Sequence, residues 1–125
     1  MNKYVDLAGR ILLTLMFLIS GLNKIGGYAA TQGYMESQGV PGILLPLVII
    51  LEIVAPIAIV IGWQTRLAAW GLAIFSVLAA LVFHMDFGNQ MQMIMFMKNL
   101  SIAGGCLILA AHGAGELSLD YRRLA

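Results

Sequence analysis

Hydrophobic residues form four long runs along the chain, and polar residues or glycine and proline separate them. The runs cover about residues 5–25, 43–61, 67–84 and 91–111. Each run approaches the roughly 20 residues that a helix needs to cross a bilayer. The pattern therefore predicts an all-α integral membrane protein, a four-helix bundle in which residues 1–125 form one domain.

The connections between the runs indicate how the helices are arranged. Short links follow the second and third runs, so consecutive helices are expected to be antiparallel neighbours. In the longer connection, residues 29–38 are expected to form a short interfacial helix and residues 39–42 a turn. The basic residues that share one side of such a bundle are Lys3, Arg10, Arg66, Arg122 and Arg123. The positive-inside rule then predicts that both termini are cytoplasmic.

Glu52 is the most unusual residue of the second run, because it lies near the middle of an otherwise apolar stretch. A lone carboxylate at that depth costs about 2.5–3.5 kcal/mol on insertion scales. We therefore expect Glu52 to be paired, protonated or used in function. Four residues later, Pro56 lacks an N–H group, so the helical hydrogen bond to the carbonyl of Glu52 is missing.

Helical spacing gathers polar and small residues into stripes. The first run carries Arg10, Thr14, Phe17, Gly21 and Lys24. The third carries Arg66, Ala69, Ala73, Ser76, Ala80 and His84, and the fourth carries Asn99, Ala103, Cys106 and Ala110. Small residues let membrane helices approach closely. Residues interpreted as serving charge pairing or helix packing are Arg10, Gly21, Pro56 and Arg66.

The depths of the polar residues predict a polar pocket that opens toward the outer leaflet, with Glu52 as its floor. Lys98 and Asn99 lie roughly 10 Å inside their helix end at about 1.5 Å per residue. Ionisable groups inside membranes are functional candidates by default. The predicted ligand-binding residues are Lys24, Glu52, His84, Lys98 and Asn99. The alternative is structural, since such charges also pair to fix helix register and lysines also extend to the interface without a ligand.

Composition narrows the chemistry. The chain is 61% hydrophobic and 10% charged, and its net charge of +1 makes nucleic acid an unsuitable partner. A single cysteine, Cys106, excludes an intrachain thiol pair. The methionine-rich stretch 91–97 suits copper(I) chemically. Residues two apart in a helix nevertheless lie on different faces, so no metal site is predicted.

Several short motifs together resemble one known family. They are Arg10 with Phe17, residues 21–24, Tyr34 with 39–41, Leu51 with Glu52, residues 62–66, His84, residues 97–101 and residues 113–120. This ordered set resembles the DoxX family of small bacterial membrane proteins. The resemblance implies a four-helix, multi-pass protein of the bacterial inner (plasma) membrane. Some relatives form the membrane subunit of a thiosulfate:quinone oxidoreductase, and others assemble with redox-defence enzymes.

The leading functional hypothesis is a redox-associated membrane protein whose pocket binds a quinone or a similar lipophilic molecule. Lys24, His84, Lys98 and Asn99 would donate hydrogen bonds to the quinone oxygens, and Glu52 would relay a proton. The expected partners are membrane lipids, a redox partner protein and a second copy of the chain. A membrane subunit of a quinone-linked oxidoreductase fits these residues better than an autonomous enzyme.

Two alternatives remain open at the level of the sequence. One is a non-enzymatic scaffold or assembly factor whose charges hold the helices together. The other is a small-solute transporter, because a carboxylate at mid-membrane depth beside a proline suits such a protein. Four helices are few for alternating access, so a transporter would need to form an oligomer.

Overall fold

The computed structural model describes residues 3–84, 88–115 and 117–120, and helices account for most of them. The helices are α1 (Lys3–Gly26), α2 (Tyr28–Ser37), α3 (Leu45–Ile61), α4 (Thr65–Phe83) and α5 (Gln90–His112). A 3₁₀ turn, Gly42–Leu44, leads directly into α3. Four helices are long and apolar enough to span a membrane: Lys3–Gly26, Gly42–Ile61, Thr65–Phe83 and Gln90–His112. The predicted all-α four-span architecture is confirmed.

The transmembrane helices differ in how extensively they pack on one another. α1 packs on α3, α4 packs between α3 and α5, and α1 touches α5 only slightly. Small side chains such as Ala69, Ala73 and Cys106 form much of the buried core. Their size allows close helix approach without a hydrophobic driving force between helices in lipid.

The buried faces largely follow the predicted stripes. The residues of α1 that are buried are Arg10, Thr14, Phe17 and Gly21, as the spacing predicts. On α4 the small members of the stripe are buried as well, but Arg66 is exposed. The side chain of Arg66 extends toward the end of α5, where Nη2 lies 3.4 Å from the carbonyl oxygen of His112, and its role in helix packing stays a prediction.

Pro56 lies within α3 without ending it. The helix continues from Leu45 to Ile61, and Pro56 is buried inside the bundle. A proline in a membrane helix is tolerated because the surrounding protein and local adjustment offset the lost hydrogen bond. The missing N–H still leaves the carbonyl of Glu52 without its usual helical donor.

The predicted interfacial helix is present as α2, one residue earlier than expected. Gly39 follows it with a φ of +81°, a left-handed conformation that glycine adopts without steric cost. Met35 is buried, and Gln32 Nε2 donates a hydrogen bond of 3.2 Å to the carbonyl of Gly42. These contacts fix α2 against the start of the second span.

Arg10 organises the opposite end of the bundle. Its side chain is buried, and Nε pairs with Asp6 Oδ2 at 3.0 Å. Nη1 donates to the carbonyls of Ile59 at 2.8 Å and Val60 at 3.1 Å. Nη2 donates to the carbonyl of Leu117. One guanidinium thus joins α1, the end of α3 and the segment that follows α5.

The segment that follows α5 makes further contacts with this end. Asp6 Oδ2 accepts a hydrogen bond of 2.9 Å from the N–H of Gly115. The carboxylate of Asp120 accepts from the N–H groups of Gln64 and Thr65, both at 2.9 Å. The start of α1 and this segment therefore lie on the same side of the bundle. Its assignment to the cytoplasm stays a prediction, and Arg122 and Arg123, which contributed to it, lie outside the described residues.

Candidate ligand-binding site

A cavity of about 570 Å³ lies among α1, α3, α4 and α5, at the end of the bundle that α2 covers. This volume is within the range of about 300–1,000 Å³ that is typical of small-molecule sites. All five residues that the sequence predicts to bind a ligand line it: Lys24, Glu52, His84, Lys98 and Asn99. The structure thus brings together side chains from four helix segments that are distant in sequence.

Most of the cavity wall is apolar, which corrects the prediction of a polar pocket. Phe17, Val48, Phe75 and Leu78 are among the lining residues. A helix places the apolar neighbours of a polar residue on the same broad face, so several helices enclose more apolar than polar surface. The cavity is therefore a lipophilic space with a few polar groups in its wall.

Glu52 and Lys24 form an ion pair in this wall. Lys24 Nζ lies 2.6 Å from Glu52 Oε1, and the two side chains are 24% and 3% exposed. The ammonium approaches at an angle outside hydrogen-bond geometry, so Oε1 has a charge partner without a formal hydrogen bond. Lys24 Nζ also donates to Ser20 Oγ at 2.6 Å. An ammonium group carries three N–H donors, so Lys24 can serve another acceptor in the cavity.

Gly21 permits this pairing, because it allows α1 to approach α3 beside Glu52. A Cβ atom at Gly21 would lie 2.8 Å from Ile53 Cγ1 and 3.2 Å from Glu52 Cβ. Both separations are shorter than carbon atoms tolerate without a shift of the neighbour. The interpretation of Gly21 as a packing residue agrees with this geometry.

The other polar groups of the wall come from the junction of α4 and α5. His84 Nδ1 lies 2.8 Å from Gln92 Oε1, which fits donation by the ring nitrogen. Asn89 accepts hydrogen bonds from the N–H groups of Met91 at 2.9 Å and Gln92 at 3.3 Å. The cap therefore orders the turn that carries the partner of His84. Asp86, two positions after His84 in the sequence, lies outside the described ranges.

Asn99 and Lys98 complete the polar part of the wall. Asn99 Nδ2 donates to the carbonyl of Met95 at 3.1 Å within the same helix, which leaves its Oδ1 for another donor. Lys98 Nζ has no hydrogen-bond or ion-pair partner among residues 3–84, 88–115 and 117–120. The two neighbouring residues thus offer the cavity an amide oxygen, the second N–H of the same amide and one cation.

α2 closes the mouth of the cavity. The rings of Tyr34 and Phe83 stack with centroids 5.4 Å apart and an interplanar angle of 26°. Thr31, Tyr34 and Met35 of this helix all line the cavity.

Two hydrogen-bond partners of the wall residues were not predicted from the sequence: Ser20, the partner of Lys24, and Gln92, the partner of His84. Ser20 precedes Lys24 by one helical turn, so its spacing could have indicated the contact.

The arrangement suits binding of a lipophilic organic molecule more than metal chemistry. Among the described ranges, no three His, Cys, Asp or Glu side chains come together in a way that could hold a metal ion. Lys24, Asn99 and His84 instead offer donors and acceptors to ligand oxygen atoms. Such a combination of apolar walls and few directional polar groups is typical of sites for small organic molecules.

Comparison with known proteins agrees with the membrane architecture. Residues 5–85 match the model of the family DoxX. The chain is 49% identical over 123 residues to the inner membrane protein YqjF of Escherichia coli strain K12, covering 96% of this chain and 95% of that protein. It is 38% identical to the inner membrane protein YphA of the same strain, with 93% and 88% covered.

A more distant relative is the ER-derived vesicles protein ERV29 of Saccharomyces cerevisiae, at 27% identity over 96% of this chain and 34% of that protein. No solved structure matches the chain. The family match, the two bacterial inner-membrane relatives and the four spans agree with one another. The chain is a multi-pass inner-membrane protein and belongs to the DoxX family.

Proposed function

We propose that the cavity binds a quinone or a similar lipophilic molecule, and that the protein acts as a membrane component of a redox system. The observation that carries this proposal is an apolar cavity of about 570 Å³ with the Lys24–Glu52 pair in its wall. A quinone ring needs apolar walls and a donor for each carbonyl oxygen. Lys24 and the amide of Asn99 supply such donors.

The ion pair also supplies a route for protons. Reduction of a quinone to a quinol consumes two electrons and two protons. Lys24 can pass a proton to a ligand oxygen and regain one through Glu52, 2.6 Å away, provided that Glu52 takes up each replacement proton from water. The electrons come from a redox partner protein in this proposal, so the chain acts as a membrane subunit and not as an autonomous enzyme.

His84 has a narrower role in this scheme than its residue type suggests. When Nδ1 donates to Gln92, the neutral ring presents Nε2 as an acceptor. An acceptor suits the hydroxyl group of a quinol and does not suit the carbonyl of a quinone. His84 would therefore favour the reduced form of the ligand.

Calorimetric titration of the purified protein with a short-chain ubiquinone tests the proposal. We expect saturable binding that Glu52→Gln weakens by about tenfold or more, because the change removes the ion-pair partner that positions Lys24 in the cavity wall. Glu36→Gln is the matched control, since Glu36 is an exposed carboxylate on α2. If the wild type does not bind the quinone, or if Glu52→Gln binds it as tightly as the wild type, the proposal is wrong.

A scaffold or assembly factor is the second candidate, and the Lys24–Glu52 pair itself favours it. This pair is complete without any ligand, as expected of charges that only fix helix packing. A scaffold predicts that Glu52→Gln lowers the melting temperature while the wild type shows no quinone binding.

The transporter hypothesis gains no support, because Arg10 and its partners fill the other half of the bundle.

A further inference from the structure

The charges of the described residues around the cavity do not cancel. The ionic side chains among the described lining residues are Lys24, Glu52 and Lys98. Lys24 and Glu52 neutralise each other at 2.6 Å. Lys98 has no acidic partner in the described ranges, which include every cavity-lining residue named here. Among the described residues, the wall therefore carries one positive charge without an acidic partner, on the exposed side chain of Lys98 within a membrane span, where such a charge is costly.

The position of Lys98 is also unusual. A shallow groove of about 420 Å³ runs along the outer surface of α5, beside the exposed side chains of Met93 and Met97. Lys98 and Ile102 line both this groove and the internal cavity. Lys98 thus lies at the boundary between the cavity and the lipid-facing surface, about 12 Å from the start of α5 at about 1.5 Å per residue.

A lysine that merely extends to the membrane interface would not need to line an internal cavity. At this boundary, the ammonium can instead receive a charged group of a molecule that enters from the bilayer. The apolar wall then accepts the rest of that molecule. Ion pairing in such a poorly solvated place is stronger than at a wet surface, because the effective dielectric constant is lower.

We infer that the ligand of this cavity is a monoanionic lipophile, an apolar ring or chain bearing one acidic group that Lys98 binds in its ionised form. This inference rests on the proposed function and narrows its ligand class to lipophiles with an acidic hydroxyl or carboxyl group. Hydroxyquinones that are anions at neutral pH belong to that class. Neutral quinones of the same size bind more weakly because they leave Lys98 without a counter-charge.

A matched pair of ligands tests the inference. Lawsone is a hydroxynaphthoquinone that is an anion at neutral pH, and its methyl ether has the same ring without the charge. We expect the wild type, titrated calorimetrically in an uncharged detergent, to bind lawsone at least tenfold more tightly than the ether. This corresponds to about 1.4 kcal/mol, within the range of a charge-assisted hydrogen bond.

Variants of Lys98 test whether this side chain causes the preference for lawsone over its ether. Lys98→Gln is expected to reduce the lawsone-to-ether ratio to near unity, whereas Lys98→Arg is expected to retain it. Lys3→Gln is the control, since Lys3 begins α1 at the other end of the bundle and removes the same charge. This control shows the effect of removing one positive charge from the protein at a position away from the cavity.

The outcomes separate the two proposals. Equal binding of lawsone and its ether by the wild type would contradict the inference that the ligand is an anion. A preference that Lys98→Gln retains would contradict it as well. Neither result would contradict the proposed quinone site. If the wild type binds neither lawsone nor its ether nor ubiquinone, the proposed function fails too. Thermal unfolding of Lys98→Gln in the same detergent shows whether a lost preference reflects a lost fold.

Discussion

At the scale of single residues, the Lys24–Glu52 pair combines a buried carboxylate with a partly exposed ammonium group. The side chain of Glu52 is 3% exposed and that of Lys24 is 24% exposed. Removing one partner of such a pair leaves a buried charge without compensation, while replacing both is often close to neutral. Loss of Lys24, which leaves the buried carboxylate without its partner, is therefore expected to cost more stability than loss of Glu52.

Lys24→Met is expected to lower the free energy of unfolding by about 1–3 kcal/mol, since it leaves Glu52 ionised and unpaired or forces its protonation. The double variant Lys24→Met with Glu52→Gln is expected to recover much of that loss. Thermal unfolding in one detergent measures both. Additive losses in the double variant would show that the two side chains do not interact energetically.

Gly21→Ala is expected to destabilise the bundle by about 1–3 kcal/mol, because the new methyl group would force α1 away from α3. Gly9→Ala is the matched control in the same helix, since nothing lies within 4 Å of a Cβ atom at Gly9. That change should be neutral or stabilise by up to about 1 kcal/mol through helix propensity. Equal melting temperatures for the two variants would contradict the close approach at Gly21.

At the scale of elements, the start of α4 is capped by a residue that is distant in sequence. Gln64 at its start has a φ of +51°, and its own side chain does not cap the helix. Asp120 supplies acceptors to the first N–H groups from 55 and 56 positions away. The segment after α5 is thus part of the structure of α4.

Asp120→Ala is expected to lower stability by about 1 kcal/mol, the usual cost of losing an N-terminal cap. Asp120→Asn keeps one acceptor oxygen and should lose less than the alanine variant. Hydrogen exchange of the first turn of α4, followed by mass spectrometry, locates the effect. Unchanged exchange at Thr65 in Asp120→Ala would contradict this capping role.

The helices were predictable because burial repeats with helical period, as the stripe from Arg10 to Gly21 shows. The pair of Asp6 and Arg10 was missed, although its spacing of four residues is a known signal. The other contacts of Arg10 were beyond prediction. Their acceptors are backbone carbonyls, such as those of Ile59 and Leu117, and every residue has one.

At the scale of the whole molecule, the two halves of the bundle differ. One half contains the cavity beneath α2, and the other is filled by Arg10 and the segment after α5. The sequence placed the five candidate residues together because Lys24, His84 and Asn99 lie on polar stripes and because Glu52 and Lys98 lie at suitable depths in their helices. It could not reveal the apolar wall, since that depends on how far α1 and α5 separate.

Thiol labelling in intact cells tests the predicted orientation. Gly33→Cys in α2 should react with a membrane-impermeant maleimide, since Gly33 is exposed and the cavity side is predicted to face outward. Leu119→Cys, at a residue 43% exposed, should react only after the membrane is permeabilised. Both variants carry Cys106→Ala to remove the native thiol. The reverse labelling pattern would invert the topology.

The contact between Arg10 and Leu117 also sets an order of events during synthesis. The two residues are 107 positions apart, so at roughly 5–20 residues per second the acceptor emerges about 5–20 s after the guanidinium. Throughout that interval Arg10 has only Asp6 and, later, the end of α3 as partners. Until Leu117 is made, the guanidinium therefore lacks one of its acceptors, and the segment after α5 completes its hydrogen bonding.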